Sequence, residues 1–224
     1  MSEPFDSRFA VAQDVAREAG RRALAASRAD GGLAVETKGL QDRVTEVDRN
    51  VQSFIAEAIA ARFPQDDFLG EESDAQDAPT RADGPLWVVD PIDGTDCFVF
   101  GLPSWCISIA WLDAGETRLG AIYDPIHDEL FAAAEGLGAT LNGVPIAVSP
   151  AGSLAAGLVG IGYSSRVRPQ DTLEPLARLM ANGGMFHRCG SGALSLAWVA
   201  AGRLLGYFEP HINAWDCLAG LLIV

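Results

Sequence analysis

The chain has 224 residues, of which 49% are apolar, and this is enough to build a substantial hydrophobic core in one large domain or two small ones. Its 30 acidic and 16 basic side chains give a formal net charge of −14. This charge disfavours nonspecific binding to nucleic acid or to an anionic membrane surface. No stretch has the length of a membrane span. We therefore expect a soluble protein with neither a nucleic-acid nor a membrane partner.

The first ten residues and the cysteines of the chain indicate the cellular compartment of the protein. The first ten residues contain no basic region followed by an apolar core, so no signal peptide is predicted and the expected location is cytoplasmic. The four cysteines form no Cys-x-x-Cys pair, which argues against a zinc site or a disulfide framework. We expect them to be small core residues in a reducing compartment.

Residues 1–148 show helical patterns followed by strand patterns. Apolar residues at helical spacing predict a first helix that begins near Phe5 and ends before the polar break at Ser27, and a second helix over 45–63. The polar stretch 36–42 between them is predicted to be mobile. Strands are predicted at 68–69, 86–89, 106–112, 119–123 and 129–133.

Residues 149–224 alternate strands and helices. Strands are predicted at 157–162 and 186–189, and helices at 170–181, 192–201 and 217–224. This alternation predicts an α/β half after an α+β half, with the two halves packed as one unit and the site between them.

The run from Asp90 to Thr95, with sequence Asp-Pro-Ile-Asp-Gly-Thr, carries the strongest functional signal. Pro91 disfavours a helix at Asp90, and Gly94 allows the backbone to approach a bound group closely. If a helix begins at Thr95, its free amides favour a phosphate group, while the two carboxylates suit a divalent cation such as Mg²⁺. The alternative is that these residues only form a turn.

Two other segments supply further acidic side chains. Glu71 and Glu72 follow the short strand at 68–69, and Asp216 lies in the first turn of the last helix, where it could equally be an ordinary cap. Together with Asp90 and Asp93 these segments give four candidate metal ligands. A phosphatase with an aspartyl nucleophile, of the haloacid-dehalogenase type, needs its two aspartates two residues apart, whereas here the gap is three.

Three segments resemble the signatures of the inositol monophosphatase family: Gly70-Glu71-Glu72, Asp90 to Thr95 and Trp215-Asp216. Further matches cover nearly the whole chain. These are Lys38, Val44-Thr45 with Asp48, Asp124-Pro125 with Glu129-Leu130-Phe131, Gly136 to Gly143, and Gly190 to Ala193. The resemblance implies the family's layered αβαβα sandwich. Because family members continue beyond the position of Val224 with further strands, we expect the C-terminal part of that fold to be missing.

The resemblance also implies a set of metal ligands. Glu71, Asp90 and the carbonyl of Ile92 would hold a first Mg²⁺ ion, and Asp90, Asp93 and Asp216 a second. Glu71 would contribute to a weaker third site. The reaction would be an in-line attack by water on a phosphate ester, with no covalent enzyme intermediate.

Catalytic and substrate-binding roles follow from the same resemblance. Thr95, polarised by Asp48, would position the attacking water. Glu72 would support the reaction without binding a metal ion directly. Asp93 and the amides of Gly94 and Thr95 would hold the phosphate. Three further residues, Gly190, Ser191 and Gly192, would line the substrate. Glu209 would accept a hydrogen bond from a substrate hydroxyl.

The chain departs from the family pattern at Asp96-Cys97, where a small or variable residue and asparagine are usual. Cys97 removes an amide and Asp96 adds negative charge near the phosphate, so reduced activity or an altered substrate is expected.

Two classes of function remain open after the resemblance. The first is a Mg²⁺-dependent phosphomonoesterase acting on a small polyol phosphate, with inositol 1-phosphate favoured over histidinol phosphate, fructose 1,6-bisphosphate or adenosine 3′,5′-bisphosphate. The second is a regulatory or binding protein of the same fold, like the family members that associate with transcription machinery. In either class the resemblance suggests a homodimer.

Overall fold

The computed structural model describes residues 3–29, 35–39, 42–73 and 84–224, which contain six α-helices, one short 3-10 helix (Leu154–Ala156) and twelve strands. The helices are α1 (Glu3–Ser27), α2 (Glu46–Ala60), α3 (Thr95–Val99), α4 (Pro169–Ala181), α5 (Gly192–Ala200) and α6 (Ala214–Ile223). The strands are β1 (Val35–Gly39), β2 (Asp42–Thr45), β3 (Asp67–Gly70), β4 (Leu86–Asp93), β5 (Cys106–Asp113), β6 (Glu116–Asp124), β7 (Glu129–Ala134), β8 (Gly138–Leu141), β9 (Val144–Pro145), β10 (Leu158–Ile161), β11 (Met185–His187) and β12 (Gly206–Phe208).

A seven-stranded sheet in the order β3-β4-β5-β6-β7-β8-β9 forms the centre of the molecule. Strands β3 and β4 are parallel, and the other neighbours are antiparallel. Along β4, Trp87 and Val89 belong to one hydrophobic cluster and Val88 to the other. Since successive strand residues point to opposite faces, this strand is buried on both sides, which explains its continuous apolar run.

Helices cover both faces of this sheet, and a second sheet lies beyond them. Helices α1 and α2 pack on one face, and α5 and α6 pack together, with α6 lying across the central strands of the other face. The parallel sheet β11-β10-β12 contacts α5 through β12, and α4 contacts β11. These layers form the αβαβα sandwich predicted from the sequence, so the fold class is confirmed.

The close approach of α6 to the central sheet depends on a small residue in β6. A Cβ atom built on Gly120 would lie 2.7 Å from the carbonyl oxygen of Ala219, too close for any larger residue without a shift of the helix. This contact sets the depth at which α6 lies on the sheet, and therefore where Asp216 lies.

Several elements differ from the sequence-based expectations. Of the stretch 36–42, residues 36–39 and 42 belong to the antiparallel pair β1 and β2, which was not predicted, and residues 40–41 lie outside the described residues. The predicted mobility of this stretch stays a prediction. Strand β4 does not end before Asp90, because it continues to pair with β5 as far as Asp93, with an irregularity between the two aspartates. The short strands β8, β9 and β12 were not predicted, since two to four residues are too few for a clear alternation of polar and apolar side chains.

Nothing in the structure tests the proposed division at 148/149, which stays a prediction. The central sheet lies in the first part and the three-stranded sheet in the second. Among the described residues, no helix is both long enough and apolar enough to cross a bilayer.

Candidate metal and phosphate site

Three aspartates from two elements come together at one edge of the central sheet. Asp90 and Asp93 lie on β4 and Asp216 lies on α6, and a carboxylate oxygen from each falls within 4.8 Å of the others. Asp90 and Asp93 are buried, with 1% and 7% of their surface exposed. The sequence separation of these residues is large, so only the packing of α6 on the sheet brings them together.

Asp90 is oriented by its own turn. Its Oδ1 atom accepts a hydrogen bond from the amide of Ile92 at 2.9 Å, across Pro91, which has no amide hydrogen. Burial raises the pKa of Asp90 well above its ordinary value, and the charges of Glu71, Asp93 and Asp216 raise it further. Its carboxyl group also shares a hydrogen bond with that of Asp216.

Asp93 joins the central sheet to the start of α5. Its Oδ2 atom accepts hydrogen bonds from the Ser191 hydroxyl and from the amide of Ala193, both at 2.6 Å, and its Oδ1 atom accepts one from the amide of Gly192 at 3.3 Å. These donors favour the charged form, but burial and the neighbouring Asp216 dominate and raise the pKa of Asp93 to about 7.

Asp216 occupies the third helical position of α6 and caps it. It accepts hydrogen bonds from the backbone amide of Asn213 at 3.0 Å and from the side-chain amide of the same residue at 3.2 Å. Burial raises the pKa of this carboxyl group as well. The cap anticipated from the sequence and the metal-ligand role are therefore compatible, because Asp216 caps the helix and also reaches the cluster.

The donor set fits a hard divalent cation. The three side chains offer only carboxylate oxygens, they are held close together, and within the described part of the chain no arginine or lysine forms an ion pair with any of them. Buried carboxylates without a counter-charge are costly, and a bound cation removes that cost. The upward pKa shifts show the same imbalance as a tendency to retain protons.

The other predicted ligands lie beside this cluster. Glu71 follows β3 and lines the same cavity as the aspartates, close enough to Asp90 to raise its pKa, although it is outside the group of three. Ile92 also lines the cavity, and its carbonyl oxygen accepts a hydrogen bond from the Thr95 hydroxyl at 3.1 Å.

Thr95 and Asp48 are brought together as the sequence suggested. The Thr95 hydroxyl is 3.4 Å from Asp48 Oδ1, at the outer limit of a hydrogen bond. Asp48 is buried and forms the capping box of α2 with Thr45. Burial raises the pKa of Asp48, and the charge of Glu72 adds to this shift, so Glu72 lies near this pair rather than on the cavity wall.

Gly94 closes the turn between β4 and α3. Its φ angle is +97°, and a Cβ atom there would lie 2.8 Å from the Ser104 carbonyl oxygen. A glycine is required on both counts. Gly94 and Thr95 line the cavity at the first turn of α3, and the first amides of a helix have no partner within the helix.

A cavity of about 490 Å³ is lined by the three aspartates together with Glu71, Ile92, Gly94 and Thr95. Besides the cluster, its wall includes Gly190, Ser191 and Gly192, for which contact with the substrate stays a prediction, together with Glu209 after β12. The Tyr207 hydroxyl donates a hydrogen bond to Glu209 Oε2. Burial raises the pKa of Glu209, which the Tyr207 hydrogen bond opposes.

Sequence reasoning missed several cavity residues. They include Arg166, Arg188, Tyr207 and Asn213. The position of Tyr207 could have been predicted from that of Glu209, because residues two positions apart in an extended segment point to the same side. The two arginines had no such signal, since their position depends on how β10, β11 and α5 are arranged.

The departure at Asp96-Cys97 is accommodated in the structure. Both residues line the cavity, and the Cys97 thiol donates a weak hydrogen bond to the carbonyl oxygen of Cys189 at 3.6 Å. Cys97 therefore still links α3 to the segment before α5. All four thiols are free. Cys97, Cys106 and Cys189 are buried, as expected of core residues, whereas Cys217 is only partly buried and departs from that expectation.

Comparisons with known proteins identify a matching family model and several relatives with similar sequences. The model of the family described as "Inositol monophosphatase family" matches residues 6–224. The chain is 37% identical over 219 residues to "Nus factor SuhB" of Pasteurella multocida, covering 96% of this chain and 80% of that protein. It is 40% identical over 193 residues to "Inositol monophosphatase 1" of Solanum lycopersicum, covering 84% of this chain and 70% of that protein.

A solved structure shows the same fold. The crystal structure of extragenic suppressor protein suhB from Bartonella henselae superposes with a TM-score of 0.86 at 35% identity, covering 94% of this chain and 81% of that one.

Proposed function

Because the chain belongs to the inositol monophosphatase family, we propose that it is a Mg²⁺-dependent phosphomonoesterase that hydrolyses a small polyol phosphate, with inositol 1-phosphate as the first candidate. One observation carries the proposal: the buried group of Asp90, Asp93 and Asp216 lines the same cavity as the first turn of α3. Ligands for hard cations and amide donors for a phosphate therefore meet in one place.

The proposed metal ligands are those that the family implies. Glu71, Asp90 and the Ile92 carbonyl would hold one ion, and Asp90, Asp93 and Asp216 another, with Glu71 near a weaker third site. Bound Mg²⁺ would supply positive charge to the phosphoryl oxygens and to the attacking and leaving oxygens of an in-line displacement.

The protein's own groups position the reactants. Thr95, held between Asp48 and the Ile92 carbonyl, would orient the attacking water through its hydroxyl. The amides of Gly94 and Thr95 would hold the phosphate, and Ser191 with its neighbouring glycines would line the polyol. Glu209, oriented by Tyr207, would accept a hydrogen bond from a hydroxyl of the leaving group.

Glu209 alone does not select the substrate. A carboxylate accepts a hydrogen bond from a hydroxyl and from an ammonium group equally well. Histidinol phosphate, fructose 1,6-bisphosphate and adenosine 3′,5′-bisphosphate therefore remain the alternatives to inositol 1-phosphate.

Phosphate release from these four compounds, with and without Mg²⁺, tests the proposal. Asp90→Asn should lower turnover by at least about 10³-fold, because it removes charge from both proposed ion sites. Glu174→Gln, an exposed change on α4, should leave turnover unchanged. Absence of turnover on all four esters by folded wild-type protein would reject the enzymatic proposal.

A regulatory role is the second candidate, since the relatives of 35–37% identity include proteins named "Nus factor SuhB". In that case the fold would bind a protein partner, and a cellular function would survive Asp90→Asn. Complementation of a deletion strain with Asp90→Asn therefore separates the two candidates.

We further propose that the protein is cytoplasmic and forms a homodimer. A mass of about twice 23.6 kDa by light scattering is expected for the dimer.

A further inference from the structure

We infer that Arg188 forms a subsite for a second anionic group of the substrate, so that the preferred esters carry a further phosphate or a carboxylate. This inference rests on the proposed function and narrows its substrate class. Arg188 is a cationic residue in the cavity wall of a strongly acidic chain.

Arg188 is exposed, and within the residues that the structure describes its guanidinium forms neither a hydrogen bond nor an ion pair. Many other arginines of the chain are matched to a carboxylate. These include Arg8, Arg17, Arg49, Arg118, Arg168, Arg178 and Arg203, whose partners are Asp66, Asp128, Glu36, Glu135, Asp171, Glu174 and Glu129. With 30 acidic side chains available, an arginine without such a partner beside a ligand cavity is available for a ligand.

The position of Arg188 brings it next to the predicted substrate. Its Nη1 atom is 3.9 Å from the point that a Cβ atom on Gly190 would occupy, and Gly190 lies in the substrate-lining segment. The same point is 2.6 Å from the Cys97 sulfur on α3. The guanidinium therefore lies beside the loop that precedes α5 and close to the phosphate-binding turn.

The nearby carboxylate does not neutralise Arg188 by direct contact. Glu209 is close enough for the charge of Arg188 to lower its pKa, yet its hydrogen bond comes from Tyr207. His211 also lines this part of the wall, and its Nδ1 atom is buried without a partner among the described residues. Because that atom is buried, only the Arg188 guanidinium is available to anionic oxygens here.

The cavity contains two regions of opposite charge, the aspartate cluster and Arg188, and each suits a different part of the substrate. The aspartate cluster repels an anion unless cations are bound to it, so it receives the ester phosphate together with the metal ions. Arg188 needs no metal to attract an anion, and its planar guanidinium suits the paired oxygens of a phosphate or a carboxylate. A substrate with anionic groups at both ends satisfies both parts of the wall.

Matched pairs of esters test the subsite. Fructose 1,6-bisphosphate is compared with fructose 1-phosphate, and 2-phosphoglycerate with glycerol 2-phosphate, so that each pair differs in one anionic group. In the wild-type protein we expect kcat/KM to be about tenfold higher for the doubly anionic member of at least one pair. The pair that shows the preference distinguishes a second phosphate from a carboxylate.

Arg188→Gln should remove this preference by raising KM for the doubly anionic ester, while activity on the singly anionic ester stays within about twofold. Arg178→Gln is the matched control, because it removes an arginine of α4 that lies outside the cavity and should keep the preference. Equal activity of the wild-type protein within both pairs overturns the inference, as does an equal loss on all esters in Arg188→Gln.

Equilibrium binding separates this inference from the proposed function. Calorimetric titration of the same esters in Ca²⁺ requires no turnover. If no ester is hydrolysed but fructose 1,6-bisphosphate binds more tightly than fructose 1-phosphate, and Arg188→Gln abolishes the difference, the subsite stands without the phosphatase. If the esters are hydrolysed but bind with equal affinity, the phosphatase proposal stands and the Arg188 subsite is overturned.

Discussion

At the scale of single residues, Gly94 is the position where the site tolerates least change. Its positive φ and the 2.8 Å approach to the Ser104 carbonyl both oppose any side chain. We expect Gly94→Ala to lower the free energy of unfolding by about 2 kcal/mol or more and to reduce phosphate release by at least about 100-fold, since the turn would shift the amides of α3.

Gly115 provides the control for this prediction. It also has a positive φ, of +76°, but a Cβ atom there meets nothing within 4 Å. Gly115→Ala should therefore cost only about 1 kcal/mol, measured by urea unfolding, and leave turnover intact. Equal effects of the two substitutions would show that the close approach at Gly94 is unimportant.

Residue identities in the site could be predicted where local chemistry is unusual. Two aspartates around Pro91 before Gly94 form a recognisable pattern within six residues, and the structure places both in the cluster. Arg188 has no local pattern, because an arginine in a polar loop looks alike whether or not it borders a cavity. Its position is decided by contacts between segments far apart in sequence, which no single window of sequence contains.

At the scale of secondary-structure elements, a buried ion pair attaches α1 to the central sheet. Arg8 makes two 2.8 Å hydrogen bonds to Asp66, which also accepts the indole hydrogens of Trp87 and Trp111 at 3.0 and 3.1 Å. The Asp66 side chain is only 1% exposed. Four donors thus converge on one carboxylate between the helix layer and the sheet.

Asp66→Ala should destabilise the protein by about 3 kcal/mol, because it leaves the Arg8 charge and two indole hydrogens without their acceptor. Glu174→Ala removes the exposed partner of Arg178 on α4 and should cost less than about 0.5 kcal/mol. Urea unfolding of both variants measures the contrast. A loss below about 1 kcal/mol in Asp66→Ala would contradict the role given to this ion pair.

The elements themselves followed from sequence unevenly. The long helices and the central strands have clear periodicity because each buries a continuous face, and their positions were predicted to within a few residues. The pair β1 and β2 was missed because its residues are polar on both sides, so the strand pattern carries no apolar alternation.

At the scale of the whole molecule, the carboxylate cluster couples stability to pH and to metal binding. The pKa of Asp93 is about 7 in the folded protein and near 4 in an unfolded chain. The folded state therefore binds more protons across this range, so the stability of the metal-free protein should fall as the pH rises from about 4 through 7.

Melting temperatures with EDTA and with Mg²⁺ check this dependence. Without metal, the melting temperature should be lower at pH 8 than at pH 6, and Mg²⁺ should raise it more at pH 8, where protons compete least. Asp90→Asn should reduce the pH dependence, which separates the cluster from the general acidity of the chain. A Mg²⁺ effect that is the same at both pH values and in Asp90→Asn would contradict this account.

The helix caps at Asp48 and Asp216 affect which residues are retained when a protein of this fold changes function during evolution. Each aspartate caps the first turn of its own helix. Asp216 also lines the cavity, and Asp48 lies 3.4 Å from the hydroxyl of the cavity residue Thr95. A relative of this fold without phosphatase activity would still lose helix stability if either aspartate were replaced. Selection for folding alone would therefore preserve Asp48 and Asp216. The presence of both aspartates in a relative of this chain is thus evidence of the shared architecture and not, by itself, of the same chemistry.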